Sequence, residues 1–190
     1  MNTKSLLRSA PLATLLLLAS CGGEHADHNM SSEHMNAMKA DSAARAQMAA
    51  QEVTMRTIVD LFNTSSTEGA ENLMTANFVD HQMDPSITTT GLQGVKDMMG
   101  LYRTAFPDFK QEIITMSTTG DRTYVHTHIT GTNTGPWGAM PATNKAMDLT
   151  GVDIVRFENG KAAEHWGYME EMKMMTQLGL MPPPGEEKKK

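Results

Sequence analysis

A single cysteine, Cys21, occurs among the 190 residues, and that scarcity excludes any internal disulfide. Positive charge is also in short supply: 16 Lys and Arg stand against 22 Asp and Glu, a net charge of −6 with the histidines neutral. An acidic chain without a basic stripe lacks the electrostatic footprint of a nucleic-acid-binding protein, so no nucleic acid is expected as a partner. Long apolar runs are missing too. The stretch from Leu12 to Leu18 is apolar but too short to span a bilayer as a stable helix. No internal repeat divides the chain.

What is present begins with an address. Lys4 and Arg8 precede the apolar run as a short basic region, and the run ends in Leu18-Ala19-Ser20-Cys21. This resembles the lipobox of bacterial lipoproteins, in which the chain is cut before the cysteine and the thiol is diacylated. An ordinary secretory signal with an incidental cysteine is the alternative. Lipidation would remove the liability of a lone thiol in an oxidising compartment. Residues 1–20 are accordingly read as a lipoprotein signal peptide, with Cys21 as the lipidation site and the cell envelope as the location. Gly22 rather than Asp follows the cysteine, which in a Gram-negative cell points to the periplasmic side of the outer membrane. Cleavage removes Lys4 and Arg8, leaving 14 basic residues against 22 acids, a net charge of −8.

Residues 21–40 are polar and nearly free of aliphatic side chains, and read as a flexible tether. His25, His28, His34, Met30, Met35 and Met38 give that tether a second reading, since imidazole and thioether suit copper, above all Cu(I). One folded domain is expected over 41–182, and a charged, disordered tail over 183–190. From Ser42 to Phe62 the residues Met48, Val53, Met55, Ile58, Val59 and Phe62 recur at helical spacing, and Leu92 to Phe106 does the same up to Pro107. A short helix near Glu68 to Met74 and an extended "FVDHQ" piece lie between them. The period then changes to two: strands are expected over Phe109–Ser117, Thr123–Thr132, Ala146–Phe157 and Lys161–Met169, with a last helical turn or two from Glu170. Helices first and an antiparallel meander afterwards imply an α+β fold, a curved antiparallel sheet wrapped around N-terminal helices.

The turn at Asn159-Gly160 sets a register. If it is a regular two-residue turn, Glu158 pairs with Lys161, Phe157 with Ala162, Val155 with Glu164, Asp153 with Trp166 and Gly151 with Tyr168. Cross-strand partners share a face, so Asp153, Trp166 and Tyr168 would line one surface and Glu170 would join them one step on. Ile154 and His165 would fall on the other face. A one-residue slip would exchange the two. Two carboxylates and two aromatics beside apolar residues fit a cavity wall, and desolvation would make one carboxyl a proton carrier near neutral pH; an exposed pair of acids over two core aromatics is the alternative. His126 and His128 alternate on one strand, as metal ligands would, but no third ligand stands at fixed spacing and no metal is expected. His81 lines a pocket or accepts a backbone bond.

"FVDHQ", "LYRTAFPDFKQEI", "GDRTYVHTHITGTNTGPWGAMPATNK", "VDIVRFENGKAAEHW" and "MMTQLGL" occur in the order and spacing of SnoaL-like polyketide cyclases, often labelled ester cyclases, within the nuclear-transport-factor-like superfamily. The resemblance runs from Thr57 to Met181. It implies a cone of curved sheet closed by helices around an apolar pocket, in a protein that is often a homodimer. It also implies intramolecular aldol cyclisation of a polyketide methyl ester without a cofactor. The family's catalytic aspartate lies four residues after the tryptophan of "EHW", where this sequence has Glu170. "GTHTG" and "PPTGK" of the family read with Asn133 and as "PATNK" here, departures that bear on substrate more than on fold.

The resulting expectation is a cofactor-free acid–base catalyst for a small hydrophobic carbonyl compound. Glu170 and Asp153 are its catalytic candidates; His81, Trp166, Tyr168, His126, His128 and Phe106 are its substrate-binding candidates. A non-catalytic lipoprotein that binds a hydrophobic small molecule, and a copper-handling lipoprotein, are the alternatives.

Overall fold

The computed structural model describes residues 31–182 and residue 185. The signal peptide, Cys21, the tether as far as Met30 with His25 and His28, and the rest of the charged tail lie outside the described residues.

Helix α1 (Ser32–Thr64) opens with Ser31, whose hydroxyl accepts the N–H of His34 at 3.2 Å, and with Glu33 in the first turn. It starts ten residues before the periodicity predicts, so residues 32–40 are helical rather than a flexible tether. The reason is compositional. Alanine favours the helix, so exposed sequence can extend one that its packed half already holds, while apolar periodicity marks only the part that packs. Residues 32–47 are exposed on every side, and burial begins at Gln51, continuing through Met55, Ile58, Val59 and Leu61. Val53, counted with the apolar face, is instead 65% exposed.

A short helix α2 (Ala70–Leu73) leads into β1 (Met74–Asp80), and α3 (Gly91–Ala105) buries Val95, Met98 and Met99 at helical spacing. Four further strands follow: β2 (Lys110–Thr119), β3 (Arg122–Thr132), β4 (Ala146–Glu158) and β5 (Lys161–Met169). Helix α4 (Glu171–Gln177) closes the domain. The expected α+β architecture is present, as a curved, unclosed sheet of order β1-β5-β4-β3-β2. β2 to β5 form the antiparallel meander, but β1 is a full member of the sheet and runs parallel to β5. α1 and α3 lie on one face of the sheet, where Met55, Ile58, Val95 and Met99 pack with Val125, Val155 and Phe157. A second apolar cluster joins Phe106, Phe109, Ile129 and Leu149 to Met174 and Leu178 of the C-terminal segment. Among the described residues no helix is long and apolar enough to cross a membrane.

The β4–β5 hairpin departs from the regular register at one point. Asn159 and Gly160 both have positive φ, 50° and 80°, as a tight two-residue turn requires, and Glu158↔Lys161 and Phe157↔Ala162 pair as expected. Arg156 then pairs with Glu164, so Ala163 has no partner on β4 and the hairpin carries a β-bulge. Every later pair is shifted by one: Val155↔His165, Ile154↔Trp166, Asp153↔Gly167, Val152↔Tyr168. The expected facing of Asp153 with Trp166, and of Gly151 with Tyr168, is therefore overturned.

Candidate active site

The bulge turns His165 to the helix-bearing face and sends Trp166 to the other. There His165 meets two carboxylates. Its Nε2 lies 3.1 Å from Asp153 Oδ1 and its Nδ1 lies 3.0 Å from Asp80 Oδ1. Parallel pairing of β1 with β5 puts Asp80 directly beside His165. Gly167 makes room for the cluster: a Cβ there would come within 3.0 Å of the His165 ring and 3.5 Å of Asp153 Oδ1. The Gly167 N–H donates to Gln82 Oε1 at 2.6 Å, and the Gln82 N–H donates to Asp80 Oδ1 at 2.9 Å. Gln111 completes the arrangement by donating from Nε2 to Asp153 Oδ2 at 2.9 Å. The backbone of Gln111 is clamped in turn by Asn63 of α1, which accepts its N–H at 2.7 Å and donates to its carbonyl at 2.9 Å.

Charge follows from this geometry. Burial opposes protonation of His165, but hydrogen bonds and Coulombic attraction from Asp153 and Asp80 outweigh it and raise its pKa to about 9. For Asp80, burial pushes upward and is overcome by the hydrogen bond and charge of His165, so its carboxyl sits below the ordinary range. At neutral pH the site therefore holds an imidazolium between two aspartates, with both ring N–H groups engaged.

The cluster opens into a cavity of about 570 Å³ between the sheet and the helices. The cavity is lined mainly by apolar side chains, many of them methionines, among them Met55, Met74, Met98 and Met147. Tyr102 of α3 also lines it, with its ring fixed between Phe109 at 5.1 Å and Trp137 at 5.8 Å. Burial, reinforced by the charges of Asp153, Asp80 and Asp84, pushes the Tyr102 phenol far above its usual value, so it stays a neutral donor. Across the mouth, the Trp137 indole donates from Nε1 to Asp84 Oδ2 at 2.9 Å. That bond ties the loop after β1 to the loop between β3 and β4.

Of the residues singled out in the sequence, Asp153 lines the cavity and Tyr168 stands at its rim, 59% exposed. Glu170 does not join them. It is exposed, accepts the Thr150 N–H at 2.7 Å and pairs with Lys173 at 3.1 Å, contacts that hold its carboxyl below the ordinary range. Trp166 and His81 lie on the far face of the sheet, stacked with ring centroids 4.6 Å apart, and Arg122 sits 5.8 Å from the Trp166 ring. His126 and His128 follow β3 onto that same face, where His128 meets Asp148 at 3.0 Å. Phe106 is wholly buried core, edge-on to Trp137 at 5.4 Å. Among the described residues no group of three or more His, Cys, Asp or Glu could hold a metal ion. The reading of the register missed His165, Asp80, Gln111 and Tyr102. One signal for the first was available: Ala162-Ala163, two adjacent small apolar residues, break the alternation just where the bulge lies.

A family model described as SnoaL-like polyketide cyclase matches residues 52–178. No curated protein matches the chain. Among solved structures, TsrD from Streptomyces laurentii is 19% identical, with a TM-score of 0.64 over 70% of this chain and 97% of its own. A candidate polyketide cyclase from Bacillus cereus is 23% identical, with a TM-score of 0.60 over 70% of this chain and 82% of its own. A SnoaL-like polyketide cyclase from Agrobacterium tumefaciens is 17% identical, with a TM-score of 0.58 over 68% of this chain and 98% of its own. At these identities the likeness is one of fold.

Proposed function

The chain belongs to the SnoaL-like polyketide cyclase family, and from that premise we propose that it catalyses proton transfer on a small hydrophobic carbonyl compound held in the cavity. The observation that carries this reading is the charged Asp80–His165–Asp153 cluster opening into an otherwise apolar cavity. Asp153 is the base: it takes a proton from the carbon next to a carbonyl. The neutral Tyr102 phenol donates to the oxygen on which negative charge then develops, as hydrogen-bond donors in a water-poor site do. The enolate carbon attacks a second carbonyl carbon of the same molecule, forming the C–C bond, and the π pair of that carbonyl becomes an alkoxide. The proton on Asp153 passes to the alkoxide, so atoms and protons balance within one substrate. His165 remains charged throughout, orienting Asp153 and offsetting the second carboxylate. Positioning and proton transfer suffice for such a step.

The test is exchange of the α-protons of a hydrophobic ketone, β-tetralone, into deuterated buffer, followed by NMR. The protein should accelerate exchange, and Asp153→Asn should lower the rate by about 10²–10⁴-fold. Exchange at the buffer rate would remove the catalytic reading and leave the second one, a cavity that binds without turnover. One observation favours that second reading: Glu170, at the position of the family's acid–base residue, is exposed and tied to Thr150 and Lys173. We propose further that Cys21 carries a lipid that holds the domain at the membrane.

A further inference from the structure

The polar end of the cavity is short of one positive charge. Asp80 and Asp153 share a single imidazolium, whose two N–H groups are both taken by them. Asp84 adds another carboxylate to the lining, bonded to Ser86 and Trp137, and Glu171 stands at the mouth. Among the described residues no lysine or arginine lines the cavity. Elsewhere several acids have cations of their own: Glu164 meets Arg156 at 2.8 Å, Glu170 meets Lys173 at 3.1 Å and Glu112 meets Lys110 at 2.5 Å. A carboxylate in apolar surroundings is costly unless it is paired. Both hydrogen bonds that Asp80 accepts from described residues go to Oδ1, from His165 and the Gln82 N–H, which leaves Oδ2 for a ligand.

We propose that the cavity takes a hydrophobic ligand bearing a protonated amine, which pairs with Asp80 and completes the cluster, and that it rejects hydrophobic acids of the same size. The proposal rests on the reading of the cavity as the substrate site. It names the class within that reading: a carbonyl compound that carries a basic nitrogen. Asp80 holds the ammonium, leaving Asp153 free to act as the base. The rest of the lining suits such a ligand. Tyr102, Phe109 and Trp137 add aromatic rings to the lining, groups that attract a cation or an aromatic body. The flexible thioethers of Met55, Met83, Met98 and Met172 fit around irregular apolar shapes. An anionic ligand would find neither a free donor on His165, whose charge is already shared by two aspartates, nor a lysine or arginine on the described walls.

Three probes with one chain length decide it. Dodecylammonium and dodecanoate below their micellar concentrations, and dodecanol below its solubility limit, are titrated against the intact protein holding the neutral fluorescent reporter N-phenylnaphthylamine. The ammonium should displace the reporter at a concentration about tenfold below the alcohol, with dodecanoate weakest. Asp80→Asn should narrow the gap between ammonium and alcohol while the reporter still binds. The ranking in the unaltered protein is decisive even if that variant does not fold. Equal displacement by all three, or dodecanoate as the best competitor, overturns the charge selectivity while leaving the cavity reading in place. A reporter that does not bind at all overturns both.

Discussion

At His165 two effects oppose each other, and their difference becomes a pH dependence. Burial disfavours the charge and the two aspartates favour it, and the aspartates win, lifting the pKa from 6.5 to about 9. A group whose folded pKa is raised contributes stability that is fully present below the unfolded value and is lost as pH rises through the folded one. Stability should therefore decline from about pH 6.5 to about pH 9, by up to a few kcal/mol at about 1.4 kcal/mol per unit. Asp80 works the other way: its lowered pKa contributes stability above its unfolded value of 3.8, lost as pH falls below it. His165→Gln should remove the alkaline decline and lower stability near pH 6. Urea midpoints across the alkaline range read both effects. An unchanged slope in the variant would mean that the imidazole is not held as an ion between the aspartates.

At the scale of single elements, α1 and the β4–β5 hairpin show different ways for local reading to fail. In α1 the packed half was legible because Met55, Ile58 and Val59 recur at helical spacing. The half before it was not, because exposed alanine-rich helix has no apolar face to read. Removing everything up to residue 46 should change stability by less than about 0.5 kcal/mol, the usual range for exposed positions, as judged by denaturant midpoint. A loss of several kcal/mol would show that the exposed half packs against something after all. In the hairpin, the Asn159-Gly160 turn was legible and correct, yet the pairing beyond it slipped by one residue at Ala163. That slip moved the chemistry from Trp166 to His165. Because side chains alternate with a period of two, one unpaired residue inverts every facing after it.

For the whole molecule, the domain encloses a cavity at the helix-bearing face of an open sheet, and the described residues that line it fall between Met55 and Met181. The proposed anchor at Cys21 is expected to be separable from the site. Cys21→Ala should move the protein from the membrane fraction to the soluble fraction while ligand displacement in the cavity is unchanged. Immunoblots of fractionated cells check the first and the reporter assay checks the second. A Cys21→Ala protein that still sediments with membranes would remove the lipid anchor from the account.

Amino-acid order by itself determined the class of fold, the main helices, the four strands of the meander and the tight turn at Asn159-Gly160. These follow from periodicity and turn chemistry, which are local and act within a few residues. The site was decided by tertiary structure. Asp80 reaches His165 only because β1 adds in parallel to the edge of the sheet, 85 residues away in sequence. Gln111 reaches Asp153 from two strands off, across 42 residues, and Tyr102 arrives on a helix. No periodic signal encodes such meetings, because they depend on which edges pair and where a bulge falls. Glu170 makes the same point in reverse: its place in the family's motif was legible, and its exposure beside Thr150 and Lys173 was set by where β5 ends and α4 begins.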